Sequence, residues 1–217
     1  MVRKGKSYDT KKIITQVKNT DLVEQKHHQI VQAACKLFSE KGYHKTSLRD
    51  ISRESGINLS YIYKYISKKD DILYLFYQYI SKKLTSFSDK SDDPEFENPV
   101  EELKSFIRGV FEGIRSIKGE ALTMYTECRH LEKDSLRIVL AEESKTVQLI
   151  EVLIRRGIDQ GYFHVQDSFM AANIISYMIP FYPLRGWNFR DQYSFEQIVE
   201  LTTDFILNSL NVKEEHK

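Results

Sequence analysis

The stretch that decides the fold is GYHKTSLRDISRESGINLSYIYKYISKK, residues 42–69. Thr46 or Ser47 can cap a short helix, and Asp50 stands three residues after Ser47, the spacing of a capping box. That helix holds Leu48, Ile51 and Ser52 and stops near Gly56, which takes a turn conformation at little steric cost. Asn58 then caps a second short helix, Leu59 to Ile66. Ile51, Ile57 and Ile62 are placed to pack the two helices into one small core. Tyr61, Tyr63, Lys64 and Tyr65 crowd two turns of the second helix, too many polar-tipped groups for all to be buried. Two helices about a glycine turn, the second with outward polar and aromatic groups, follow the helix-turn-helix plan, whose second helix lies in the DNA major groove.

Working outward, residues 22–42 read as a helix, with Ile30, Ala33, Ala34, Leu37 and Phe38 at helical spacing and Gly42 as its left-handed cap. Ser67 with Asp70 reads as a capping box opening a further helix to about Leu84. Residues 85–99 are polar, contain Pro94 and Pro99, and read as a loop. From residue 100 the pattern is helical again: Leu103, Phe106, Ile107, Val110, Phe111 and Ile114 form one stripe. Further helices are expected over about 119–132, 134–161, 167–180 and 194–211, with breaks at Gly161 and Pro183. With four prolines, nine glycines and no convincing strand, the expected fold is all-α: a three-helix helix-turn-helix domain over 22–84 and a larger helical domain over 100–217. Residues 1–21, with Arg3, Lys4, Lys6, Lys11, Lys12 and Lys18 against Asp9 and Asp21, show little periodicity and read as a basic flexible arm able to touch phosphates or the minor groove.

The net charge of +1 conceals an asymmetry. Residues 1–84 carry 17 basic and 8 acidic residues, whereas residues 85–217 carry 15 and 23. A basic front fits a polyanion such as DNA, and it equally fits ordinary surface variation between domains. No apolar run reaches the ~18 residues of a membrane span, and the N-terminus lacks the apolar stretch of a signal peptide. The expected location is the cytoplasm, where the distant Cys35 and Cys128 are expected as free thiols. Their spacing fits no metal motif, and neither a metal nor a cofactor is expected.

The pattern KGYxxTSLxDISxxSGINxSxIYxYxxxKDDIL, residues 41–73, resembles the signature of the TetR family of transcriptional regulators. The resemblance is specific over about residues 24–80, and elsewhere extends to length and helical character. It implies contact roles for Thr46, Ser47 and Arg49 at the start of the second helix, against phosphate or a groove edge. Leu59, Ser60 and Tyr61 fall where the recognition helix faces bases, although leucine is unusual at such a position. Tyr63 matches an aromatic that touches phosphate, Tyr65 stands at a frequent histidine position, and Lys69 matches a lysine that meets phosphate. Hydroxyl and ammonium groups donate to phosphate oxygens and so set register, while Arg49 or Lys64 suits guanine. The same residues, taken singly, also suit core packing or a solvated face.

The resemblance further implies a homodimer on a palindromic operator, paired through residues about 167–180 and 194–210, and repression released by a small-molecule effector. Candidate pocket residues are Phe106, Val110, Phe111, Met124, Tyr125, Cys128, Leu149, Val152, Leu153, Tyr177 and Phe181. An apolar pocket with a few polar groups suits a lipophilic ligand, and Arg185 and Arg190 among aromatics would admit an anionic head group such as that of an acyl-CoA. Three other readings stand beside this one, the first of them an activator in place of a repressor. A nonspecific architectural DNA-binding protein accounts for the basic front but not for the acidic helical domain. An enzyme using Cys128 and His130 is opposed by their i, i+2 spacing, which points them to different helix faces, and by the lack of a nucleophile or phosphate-binding motif.

Overall fold

In the computed structural model, residue 11 and residues 13–88 and 98–212 are described. They form ten α-helices, and among the described residues there is no strand. The chain divides into two compact units. One comprises the described residues up to Lys82 together with Ile117–Glu142; the other comprises Lys83–Ser116 and the described residues from Glu143 onward.

In the first unit, α1 (Thr20–Lys41) opens two residues before the sequence expectation because the Asn19 side chain accepts from Leu22 N–H and caps it. α2 (Leu48–Ser55) starts with the expected box, in which Ser47 and Asp50 satisfy each other's backbone N–H. The Ser47 N–H, Lys41 and the Ser47 hydroxyl hold the Asp50 carboxyl well below its ordinary pKa. Gly56 ends α2 at φ 68°, a left-handed turn that strains other residues. α3 (Leu59–Tyr65) is capped by Asn58. α1 packs on α2, α3 and α6 (Lys118–Glu127). Ile30, Ala34, Ile51 and Ile62 are fully enclosed between these helices, with Ile57 nearly so.

α4 (Lys69–Ser88) opens differently from the expected Ser67–Asp70 box. Asp71, one residue later, accepts from Ser67 N–H (2.9 Å) and Lys68 N–H (3.1 Å). Asp70 is engaged elsewhere. Its carboxylate accepts from Lys11 Nζ (2.8 Å), Ser135 Oγ (3.0 Å) and Glu132 N–H (2.8 Å), the last two at the start of α7 (Lys133–Asp159). α4 also runs to Ser88 rather than Leu84, and residues 89–97 of the expected loop lie outside the described residues.

The Asp70 cluster gives a pH prediction. Burial alone would raise the Asp70 pKa, but the bonds from Lys11, Glu132 N–H and Ser135 outweigh it and hold the carboxyl below its ordinary value. A depressed carboxyl contributes stability above its unfolded pKa and loses it as pH falls through the folded one. Asp70→Asn is therefore expected to cost about 2 kcal/mol at neutral pH, and the gap to wild type should close as pH drops below about 4. Urea unfolding of both proteins at pH 7 and pH 3.5 measures it; a gap independent of pH would refute the assignment.

The second unit contains α5 (Pro99–Ser116), the rest of α7, α8 (Ser168–Met178), α9 (Phe181–Arg185) and α10 (Phe195–Ser209). The expected stripe of α5 is its buried face: Leu103, Phe106, Ile107, Phe111 and Ile114 are enclosed, with Val110 at the edge, and α5 packs on α10. A second capping box, Ser194 with Gln197, starts α10. Pro183 does not break the chain as expected but sits within α9. It falls in the first turn, where a missing N–H breaks no helical bond. On α7, Gly157 faces the buried Phe163 ring so closely that a Cβ there would stand 2.1 Å from a ring carbon.

Candidate nucleic-acid interface

The two-turn α3 divides its side chains sharply. Ile62 and Tyr65, three residues apart and so on one helix face, turn into the core, while Ser60, Tyr61, Tyr63 and Lys64 face solvent. Tyr61 is 54% exposed and Tyr63 47%, too open for residues that serve only packing. Lys64 Nζ lies 4.3 Å from the centre of the Tyr61 ring. Ser60 Oγ donates to the Asn58 cap (3.1 Å), and Leu59 is half-buried. On α2, Ser47 and Arg49 are exposed. The outward set is thus hydroxyls, an ammonium and a guanidinium, donors suited to phosphate oxygens and base edges.

Three sequence candidates lie elsewhere. Thr46 is buried, and its hydroxyl donates to the Gly42 carbonyl (2.9 Å) at the end of α1. Tyr65 is 4% exposed and belongs to the helix core. Lys69 donates to the Tyr43 carbonyl, with its ammonium 3.9 Å from the centre of the Tyr43 ring. Burial lowers the Lys69 pKa and raises that of Tyr43 to about 12, with help from Asp70, Glu132 and Glu127.

The carbonyls at the C-terminal ends of the two helices take donors from outside them. Gln29 Nε2 donates to Ser55 O (2.7 Å), closing α2, and His27 Nε2 donates to Tyr65 O (2.7 Å). Lys64 O accepts from Gln16 N–H (2.8 Å) and Thr15 Oγ1 (3.0 Å). None of these four residues was singled out from sequence; helix ends need such donors, but nothing local says which distant residue supplies them.

The pocket candidates fall in both units. Met124, Tyr125 and Cys128 belong to the first unit, where Tyr77 Oη donates to the Met124 carbonyl. In the second, Phe111 meets Tyr182 and Phe195 at ring distances of 6.0 and 6.5 Å, and Phe181 meets Phe189 at 5.0 Å. Phe106 is buried and Leu153 half-buried, whereas Leu149, Val152 and Tyr177 lie on the surface, Tyr177 at 78% exposure. Among the described residues no cluster of three or more His, Cys, Asp or Glu could hold a metal ion, and no helix is long and apolar enough to cross a membrane.

A capped α2, a glycine turn and a short α3 with a donor-rich outer face define a helix-turn-helix regulator. Residues 30–74 match the family of bacterial regulatory proteins of the tetR type, and residues 97–210 match the tetracyclin repressor-like C-terminal domain. Among relatives, the HTH-type transcriptional regulator HbdR of Aromatoleum sp. (strain CIB) is 28% identical over 193 residues, covering 88% of this chain and 81% of HbdR. Among solved structures, the TetR-family regulator PfmR from Thermus thermophilus is 25% identical with a TM-score of 0.72, covering 82% of this chain and 97% of PfmR. AibR, solved in complex with isovaleryl coenzyme A and operator DNA, shares the fold with a TM-score of 0.70 at 20% identity, over 85% of this chain and 97% of AibR. The chain belongs to the TetR family and is a helix-turn-helix transcriptional regulator.

Proposed function

We propose that the protein is a repressor that grips a palindromic operator as a homodimer in the cytoplasm and is released by a small lipophilic effector, and that it is not an enzyme. The observation that carries the DNA-binding part is the outer face of α3, with Ser60, Tyr61, Tyr63 and Lys64 directed to solvent beside a buried Ile62 and Tyr65. Support for the dimer comes from α8, where Met170, Ile174 and Tyr177 follow one another at helical spacing, each more than half exposed, and from Leu201 and Phe205 one turn apart on α10. A two-fold dimer presents two recognition helices to successive major grooves.

The contact roles are separable. Lys64→Ala is expected to weaken binding to all DNA alike and to lower the salt slope by about one. Tyr63→Phe, which removes one hydroxyl, is expected to cost roughly tenfold in operator affinity. Fluorescence anisotropy over a salt series measures both; an unchanged slope in the first would remove Lys64 from the interface.

Among lipophilic effectors the class proposed for the first test is acyl-CoA esters, because the structural neighbour AibR was solved with isovaleryl coenzyme A and because Arg185 and Arg190 stand among aromatic residues. Relief of repression requires that the effector favour the state with the lower operator affinity, a coupling of typically ~1–3 kcal/mol. The test is titration of the protein–operator complex with isovaleryl coenzyme A, a longer acyl-CoA and free coenzyme A. Release by an ester but not by free coenzyme A supports this class; saturating esters that leave operator affinity unchanged overturn it.

A further inference from the structure

We propose that residue 11 and residues 13–19, ahead of α1, brace the recognition helix as a strut, with Lys11 and Thr15 as positioning residues for DNA binding; this rests on the reading of α3 as the DNA-reading helix. A seven-residue helix is too short to hold itself in water, so its geometry depends on what grips its ends. The Lys64 carbonyl, on the residue whose ammonium projects from the outer face, is held twice, by Gln16 N–H (2.8 Å) and Thr15 Oγ1 (3.0 Å). Thr15 Oγ1 also accepts from Val17 N–H (3.1 Å), which fixes the hydroxyl in place.

A brace works only if its other end is fixed, and here it is. Lys11 Nζ is gripped by Asp70 (2.8 Å), Asp71 (2.9 Å) and Ser135 Oγ (3.0 Å), and Lys11 N–H donates to the hydroxyl of the fully buried Tyr74 (3.0 Å). The same two acidic residues open α4 and meet the start of α7. Lys11 is thus fixed at the start of α4 and Thr15, four positions further along the chain, at the end of α3. Its chemistry separates it from a phosphate-binding arm. The Lys11 ammonium is already neutralised by two carboxylates and is only 19% exposed, so it has no donor to spare for DNA. Its contribution to operator binding is geometric: it holds Lys64, Tyr63 and Tyr61 in register with the groove.

The experiment uses full-length protein and four variants, Lys11→Met, Lys11→Arg, Thr15→Val and the double variant Lys11→Met/Thr15→Val. Two readouts are taken: amide exchange across α3 without DNA, and affinity for operator and scrambled duplexes over a salt series. Lys11→Met and Thr15→Val should each speed exchange at the end of α3 without affecting α5 or α10. Each should lower operator affinity roughly tenfold, and lower it more than affinity for scrambled DNA. Lys11→Arg should restore most of the loss, and the double variant should lose less than the product of the two. Unchanged exchange in α3, or unchanged operator affinity, overturns the strut; a fall in affinity with α3 exchange unchanged would make Lys11 a direct phosphate ligand. Faster exchange together with a wild type that binds operator and scrambled DNA equally leaves the strut standing and overturns the DNA-reading role of α3.

Discussion

Phe205→Asp is expected to give a protein that sediments at the mass of one 25.6 kDa chain and binds operator at least a hundredfold more weakly than wild type. Phe205 is 65% exposed on α10, one turn from Leu201 at 56%, so within the single chain the substitution disturbs little packing. In a dimer the same position would be covered, and a carboxylate there would be desolvated without a partner, which interfaces do not tolerate. Loss of the dimer removes the second recognition helix. Tethered binding of two half-sites gains roughly 10²–10⁴ over one, which sets the size of the fall. Sedimentation equilibrium and operator titration of the same sample test it together. A variant that remains dimeric with wild-type affinity would move the interface away from α10, while thermal unfolding at the wild-type temperature guards against simple misfolding.

The second large effect concerns stability. Gly157→Ala is expected to destabilise the protein by about 3 kcal/mol, although alanine in a helix interior ordinarily improves on glycine by up to ~1 kcal/mol. The reason is the Phe163 ring, whose nearest carbons lie 2.1 and 2.3 Å from the position an alanine Cβ would take. Phe163 is 1% exposed and has no open side to retreat to, so α7 or the ring must shift, and overpacking of this kind costs ~1–3 kcal/mol or more. For a chain of this size the melting temperature should fall by roughly 6–12 °C. The double variant Gly157→Ala/Phe163→Leu should recover part of the loss of the first change, because the smaller side chain vacates the space. A Gly157→Ala protein more stable than wild type would show that the close approach does not persist in solution.

The helix-turn-helix was legible because its signals are local. Ser47 with Asp50, Gly56 and Asn58 act on residues within a few positions, so the caps and the turn follow from spacing. The division of α3 into inner and outer faces was only half legible. Resemblance places Tyr65 at a contact position, yet Ile62 three residues earlier already marked that face as inward, and helical periodicity alone would have buried Tyr65. Thr46 misleads in the same way, since a threonine just before a helix can cap the helix it precedes or, as here, bond back to the one it follows. What sequence could not give is long-range. Lys11 finds Asp70 and Ser135 across 59 and 124 residues, and two adjacent aspartates divide their duties in a way no spacing rule separates. Among the pocket candidates, Leu149, Val152 and Tyr177 share apolar character with Phe106 and Phe111 but stand at the surface of the chain, because an apolar stripe looks the same whether it faces a core or a partner.

Recognition of a specific operator through α3 is tested most directly by equilibrium binding of the purified protein. Duplexes tiling the flanks of its own gene are compared with scrambled duplexes of equal length over a salt series. At least one duplex should be bound about 10³-fold or more tightly than scrambled DNA, with a preference that persists as salt rises. Equal binding to every flanking and scrambled duplex, with a steep common salt dependence, would contradict operator recognition and return the protein to a nonspecific, charge-driven mode of DNA binding.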